Sequence, residues 1–159
     1  MSISDWGWRD GPSGQAAESR GGSLVCRVIG GGRGIFALTD GETARNAQVS
    51  GAFEYKAALP SDFPVVGDFV ACREEGDRWI IEAVLPRREP LSRRAPGRKE
   101  EMQLLAANVD AVFLVFALDG RRGFLPRLVE RMMTLVREGG AEPIVLLNKA
   151  DLPEDPGIF

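Results

Sequence analysis

The sequence predicts an α+β protein in two parts, a small barrel or sandwich of short strands followed by a strand-helix-strand unit. Two patterns carry this. Between Leu24 and Leu85, short runs of β-type residues alternate with turn residues, as in a small all-β domain. From Asp110 onward the pattern becomes a nearly continuous apolar run, then a helical period, then a second apolar run.

Taken in order, residues 1–22 are rich in Gly, Ser and polar residues, with Trp6 and Trp8 as the large apolar side chains, and read as a disordered tail. The candidate strands of the first part are Leu24 to Ile29, Gly34 to Thr39, Glu42 to Val49, Gly51 to Ala57, Gly67 to Arg73 and Arg78 to Leu85. The Gly30-Gly31-Gly32-Arg33-Gly34 run joins two of them with no helical pattern behind it, so it reads as a hairpin turn, not a nucleotide loop. Pro60 to Pro64 marks a loop, and Pro86 to Gly97 a connector. Asp110 to Leu118 has the composition of a strand buried on both faces. Phe124 to Glu138 places Leu125, Leu128, Val129, Met132, Met133 and Val136 at helical spacing before a Gly139-Gly140 stop, and Ile144 to Leu147 is the next buried strand. Such a unit should be parallel with a right-handed crossover. The expected organisation is a tail at 1–22, a barrel at 23–86, a basic linker at 87–103 and a partial α/β domain at 104–159.

Composition excludes several classes. At 159 residues and 44% hydrophobic content the chain can bury a core. No stretch approaches the roughly 18 apolar residues of a membrane span, and no signal-peptide core opens it, so a soluble, cytoplasmic protein without a membrane partner is expected. Cys26 and Cys72 form no C-x-x-C and histidine is absent, which argues against a zinc site and against Ser-His or Cys-His catalysis. Both cysteines are expected as small core residues. The net charge is −3, yet Arg87, Arg88, Arg93, Arg94, Arg98 and Lys99 cluster against the single acid Glu89. That cluster suits either a nucleic-acid backbone or a solvated linker.

The sharpest motif follows the second buried strand. Asn148-Lys149-Ala150-Asp151 is an N-K-x-D tetrapeptide at the carboxyl end of an apolar strand, where open α/β sheets bind ligands. Guanine presents N1–H beside an exocyclic amino group, and one carboxylate, Asp151, can accept both. Adenine offers no such pair. Asn148 would meet the O6/N7 side, and the aliphatic stem of Lys149 can lie along the base or ribose. The plainer alternative is a polar turn after a core strand. A phosphate cradle, G-x-x-x-x-G-K-[ST], is missing: the three lysines, Lys56, Lys99 and Lys149, follow Tyr, Arg and Asn rather than Gly.

An N-K-x-D preceded by a β-rich domain, with no cradle before it, resembles the circularly permuted GTPases known as ribosome small-subunit-dependent GTPase A (RsgA). The resemblance rests on Val66-Gly67-Asp68, Leu85-Pro86-Arg87, Leu91-Ser92-Arg93, Ala106-Ala107-Asn108-Val109-Asp110, Glu130-Arg131 and Leu147 to Leu152, and spans about residues 22–153. It implies an OB-fold barrel followed by the first βαβ unit of a permuted α/β P-loop GTPase domain. It further implies GTP and magnesium as cofactors, hydrolysis on the small ribosomal subunit during late maturation, and rRNA as a partner through Arg87, Arg88, Arg93, Arg94 and Arg98. The family's zinc module would lie beyond this sequence. Because the motif order stops after N-K-x-D, no catalytic residue is expected here, and the chain alone is expected to be inactive. The competing expectation is a stand-alone RNA-binding OB module, with Phe36, Phe53, Tyr55, Phe69 and Trp79 as candidate stacking residues, each more often core than platform. A lone βαβ unit should also expose apolar sheet, inviting self-association.

Overall fold

In the computed structural model, residues 1–9, 11–18, 20–21, 23–32, 34–88, 90–94, 102–118 and 125–151 are described. They fall into two units, Met1–Asn108 and Val109–Phe159.

The first unit opens with a 3-10 helix, Ile3–Trp6, and helix α1, Pro12–Glu18. This corrects the expectation of a disordered tail. Ile3, Trp8, Ala16 and Ala17 pack on Phe69, Ala71, Ala83 and Leu85, and the Trp8 and Phe69 rings meet edge to face at 5.0 Å. Aromatic burial of this kind offsets the ordering cost of a polar segment. Arg27 Nη1 donates to the Trp6 carbonyl, and the Gly41 backbone lies so close to Ser2 that a Cβ there would overlap it.

The five strands that follow are β1 (Leu24–Gly32), β2 (Ile35–Thr39), β3 (Ala44–Val49), β4 (Phe69–Glu75) and β5 (Arg78–Val84). They close in the order β1-β2-β3-β5-β4. All pairings are antiparallel except β3 with β5. This is the OB-fold barrel. Alternation along the strands sends Cys26, Val28, Leu38, Ala47, Val70, Cys72, Trp79 and Ile81 inward. The alternate residues Phe69, Ala71 and Ala83 face outward beneath the N-terminal segment. Both cysteines are core residues, as expected, and the bond to Cys72 together with burial holds the Cys26 thiol far above its ordinary range, so it stays protonated.

Helix α2, Gly51–Lys56, stands where a strand was expected. The Gly-Ala-Phe-Glu-Tyr-Lys alternation suits a strand, but the Ser50 hydroxyl accepts the Phe53 N–H at 3.1 Å and starts a helix instead. The linker assignment for 87–103 also changes, since Leu91–Arg94 (β6) and Met102–Ala106 (β7) pair as antiparallel strands. Residues 102–108 therefore belong with the barrel unit, not with the second domain.

A buried polar cluster joins the barrel to this exit segment. Asp68 is fully buried and accepts Arg87 Nε and Nη2, each at 2.8 Å, as a bidentate pair. Arg87 also donates to the Ser61 and Phe63 carbonyls, while Val65 N–H caps the carboxylate. Beside it, Asn108 (φ 53°) donates to the Gly67 carbonyl and accepts the Arg88 N–H, both at 3.0 Å. Gly67 has φ +90°, and a Cβ there would overlap the Ala107 carbonyl, so this crossing requires glycine on both counts.

The second unit comprises β8 (Ala111–Ala117), α3 (Pro126–Glu138) and β9 (Glu142–Asn148), with β8 and β9 parallel as expected. Pro126 sits in the first turn of α3, and Gly139 caps its end by donating to the Leu135 carbonyl. Val129 and Val136, two turns apart, are its buried residues. Along β8, half-buried Val112, Leu114 and Phe116 alternate with exposed positions, including Phe113 and Val115, which are 63% and 59% accessible. Burial on both faces is thus corrected to burial on one, because the described residues supply a single covering helix. No described helix is long and apolar enough to cross a membrane.

Candidate guanine-reading loop and arginine segment

The N-K-x-D tetrapeptide begins on the last residue of β9. In the parallel register Ala117 lies opposite Asn148, and Leu118 N–H donates to the Asn148 carbonyl at 2.9 Å, so both strands end together. The loop sits at the carboxyl edge of the sheet, where α/β folds place ligands.

Its backbone is held in an uncommon shape. Lys149 has φ 59°, a left-handed conformation that a side chain bearing Cβ disfavours by about 1–2 kcal/mol. Asn148 offsets part of this by accepting the Lys149 N–H on its own Oδ1 at 2.8 Å. Asn148, Lys149, Ala150 and Asp151 are all exposed, the last two in a turn. The arrangement presents an amide, an alkyl stem with its ammonium and a carboxylate to solvent within four residues, a donor and acceptor set suited to a purine edge. Strain at a polar loop is often kept for function.

The five arginines expected to meet RNA separate into different environments. Arg87 turns inward to the buried Asp68, so its guanidinium serves the fold. The expectation overlooked this, although Val66-Gly67-Asp68 held the carboxylate that claims it. Arg88 is exposed and anchored through its backbone to Asn108. Arg93, on β6, is exposed, with Nε 3.3 Å from Gln103 Oε1. Arg94 is the last residue of β6, and Arg98 lies outside the described residues, as does Leu152.

The candidate stacking aromatics also divide. Trp79 is fully buried, with Nε1 donating to Glu74, and Phe69 packs under Trp8. Phe53 meets Phe63 edge to face at 5.9 Å, and Phe36 is half-buried. Tyr55, on α2, is 92% exposed. Among the described residues no group of three or more His, Cys, Asp or Glu gathers as metal ligands.

A family model described as RsgA GTPase matches residues 84–158, which include the N-K-x-D loop. The chain is 36% identical over 135 residues to small ribosomal subunit biogenesis GTPase RsgA 2 of Lactiplantibacillus plantarum, covering 84% of this chain and 38% of that protein. It is 36% identical over 169 aligned positions to small ribosomal subunit biogenesis GTPase RsgA of Opitutus terrae, covering 98% and 45%. The chain thus spans less than half the length of these curated relatives. Two crystal structures share the fold. YloQ, a circularly permuted GTPase, aligns with TM-score 0.59 at 22% identity over 86% of this chain and 44% of its own. YjeQ from Thermotoga maritima aligns with TM-score 0.61 at 21% identity over 85% and 44%. An OB barrel, a parallel strand pair ending in N-K-x-D, and relatives aligned over most of its residues make the chain a member of the RsgA family of circularly permuted GTPases.

Proposed function

We propose that the chain forms part of a GTPase that acts on the small ribosomal subunit during its maturation, and that Asn148, Lys149 and Asp151 read the guanine of GTP. The observation that carries this is the loop itself, seated where β8 and β9 end in register and bent at Lys149. Relatives named for small-subunit biogenesis support the ribosomal partner. The family match across the N-K-x-D segment favours this over an RNA-binding barrel acting alone.

The specificity rests on hydrogen-bond matching. Asp151 accepts from N1–H and the 2-amino group together, and a base lacking that pair leaves the carboxylate facing an acceptor. Asp151→Asn exchanges one acceptor for a donor, which suits the 2-carbonyl of xanthine. The variant is expected to shift preference from GTP to XTP when amide shifts at 148–151 are followed by NMR titration. Equal response to GTP and ATP in the parent chain would refute the assignment. Lacking a G-x-x-x-x-G-K-[ST] cradle, the 159-residue chain should bind weakly and show no turnover above background.

The same reading places rRNA phosphates against Arg88 and Arg93, with Arg94 and Arg98 as further contacts and Arg87 as their buried anchor. Double reversal, Arg88→Glu with Arg93→Glu, should weaken binding to small-subunit rRNA and lower its salt dependence by about two charges. An unchanged slope would make the segment a surface strand pair only.

A further inference from the structure

The first strand of the barrel outruns its partner. β1 pairs with β4 from Leu24↔Cys72 to Arg27↔Phe69, and Val28 completes this edge through Asp68 O and Gly67 N. Beyond it, Gly30, Gly31 and Gly32 pair with β2 on one side, and among the described residues nothing pairs with the other. The same glycines line an open cleft of about 1020 Å³, together with Phe36 and Val49 of β2 and β3 and with Leu59, Phe63, Val66 and Leu105.

Two of the three glycines are required neither by backbone angle nor by packing. Neither Gly30 nor Gly32 has positive φ. A Cβ on Gly32 would meet nothing within 4 Å, and one on Gly30 would touch only the Ala37 methyl at 3.9 Å. Gly30 follows the register shift between Val28 and Gly30, a bulge that accounts for one glycine, whereas at Gly32 a strand glycine with free space beside it suits the close approach of another backbone. The walls say which kind. They are mainly apolar, with Leu59 60% and Val66 47% exposed, and the described lining carries one charged side chain, Glu54, and no Lys or Arg. Among the described lining residues a phosphodiester strand would meet no counter-charge. A polypeptide would find an open strand edge, apolar pockets and a carboxylate.

We propose that this cleft receives an extended segment of another protein, with apolar side chains at alternate positions and a lysine or arginine facing Glu54, which adds as a strand to the outer edge of Gly30–Gly32. Backbone hydrogen bonds supply the affinity, and Glu54 selects a basic segment. The residues lining the cleft include none of Asn148, Lys149 and Asp151 and none of the arginines from Arg87 to Arg94.

The test uses the whole 159-residue chain and a ten-residue peptide of alternating lysine and valine. Its controls are the glutamate-valine counterpart, the lysine-valine peptide N-methylated at alternate amides, and decauridylate. The lysine-valine peptide should slow hydrogen exchange at the Gly30–Gly32 amides, while the three controls should not. Glu54→Lys should weaken it about fivefold, the scale of an exposed ion pair, and admit the acidic peptide. Leu59→Asp, at an exposed position, should abolish binding while leaving the unfolding midpoint of the barrel in place. Unchanged exchange at saturating lysine-valine peptide would overturn the proposal, as would equal protection by the N-methylated peptide. Protection by decauridylate would make the cleft a nucleic-acid site instead.

Discussion

The barrel and the strand-helix-strand unit solve the same problem to different degrees. In the barrel every strand has a partner on both sides for part of its length, and a core from Cys26 to Ile81 is sealed within. Its outer face is covered in turn by Ile3, Trp8 and α1. Among its described residues the second unit has two strands, one helix and an exposed apolar face bearing Phe113, Val115 and Leu146. A closed barrel can be stable by itself, whereas an open parallel pair draws stability from whatever covers it. The guanine loop is built on the part that is less complete, and the polar cluster that fixes the chain exit is built on the part that is more complete.

The strongest way to break this contrast is to unseat the buried pair. Asp68→Ala leaves Arg87 without its carboxylate and should cost about 3–5 kcal/mol in denaturant unfolding followed by fluorescence of the buried Trp79. Hydrogen exchange in β8 and β9 should be unchanged. Equal loosening of both units would show that the second depends on the barrel, and would end the contrast.

The contrast is sharpened by the open face. Phe113→Lys with Val115→Lys should remove concentration-dependent association in sedimentation velocity without moving the unfolding midpoint of the barrel. A parent chain that stays monomeric at high concentration would remove the premise.

The smallest expected effect lies in the turn between β2 and β3. Burial tends to raise the Asp40 pKa, but bonds from the Thr43 and Glu42 N–H groups and the Thr43 hydroxyl outweigh it and hold the carboxyl below its ordinary 3.8. The carboxylate therefore contributes stability in full above that value, and the contribution fades as pH falls through the lowered pKa. Asp40→Asn should flatten the acid limb of the barrel's stability curve. An unaltered limb would assign acid sensitivity to other carboxylates.

Much of this contrast was legible in the residues. Alternation marked the barrel strands near their observed bounds, and Leu128, Val129, Met132 and Val136 marked α3. The apolar run before the N-K-x-D marked the strand on whose last residue, Asn148, the motif begins. What escaped notice has physical causes. The residues of α2 alternate with period two, and a single hydroxyl on Ser50 decides for helix. Trp8 looked stranded in a polar segment because its partner, Phe69, is sixty-one positions away and no local period reveals it. A cluster of arginines likewise does not show which of them meets a buried carboxylate nineteen residues upstream.

The crossing at Gly67 has a consequence for the order of events during synthesis. Its contacts reach forward to Ala107 and Asn108, some forty residues later, and contacts of such separation form after local ones. As the chain emerges amino end first, the strands to Val84 can assemble early, but the seal beside Asp68 waits for Asn108. The next residues to appear begin β8, so completion of one unit and the start of the other fall at nearly the same moment of translation.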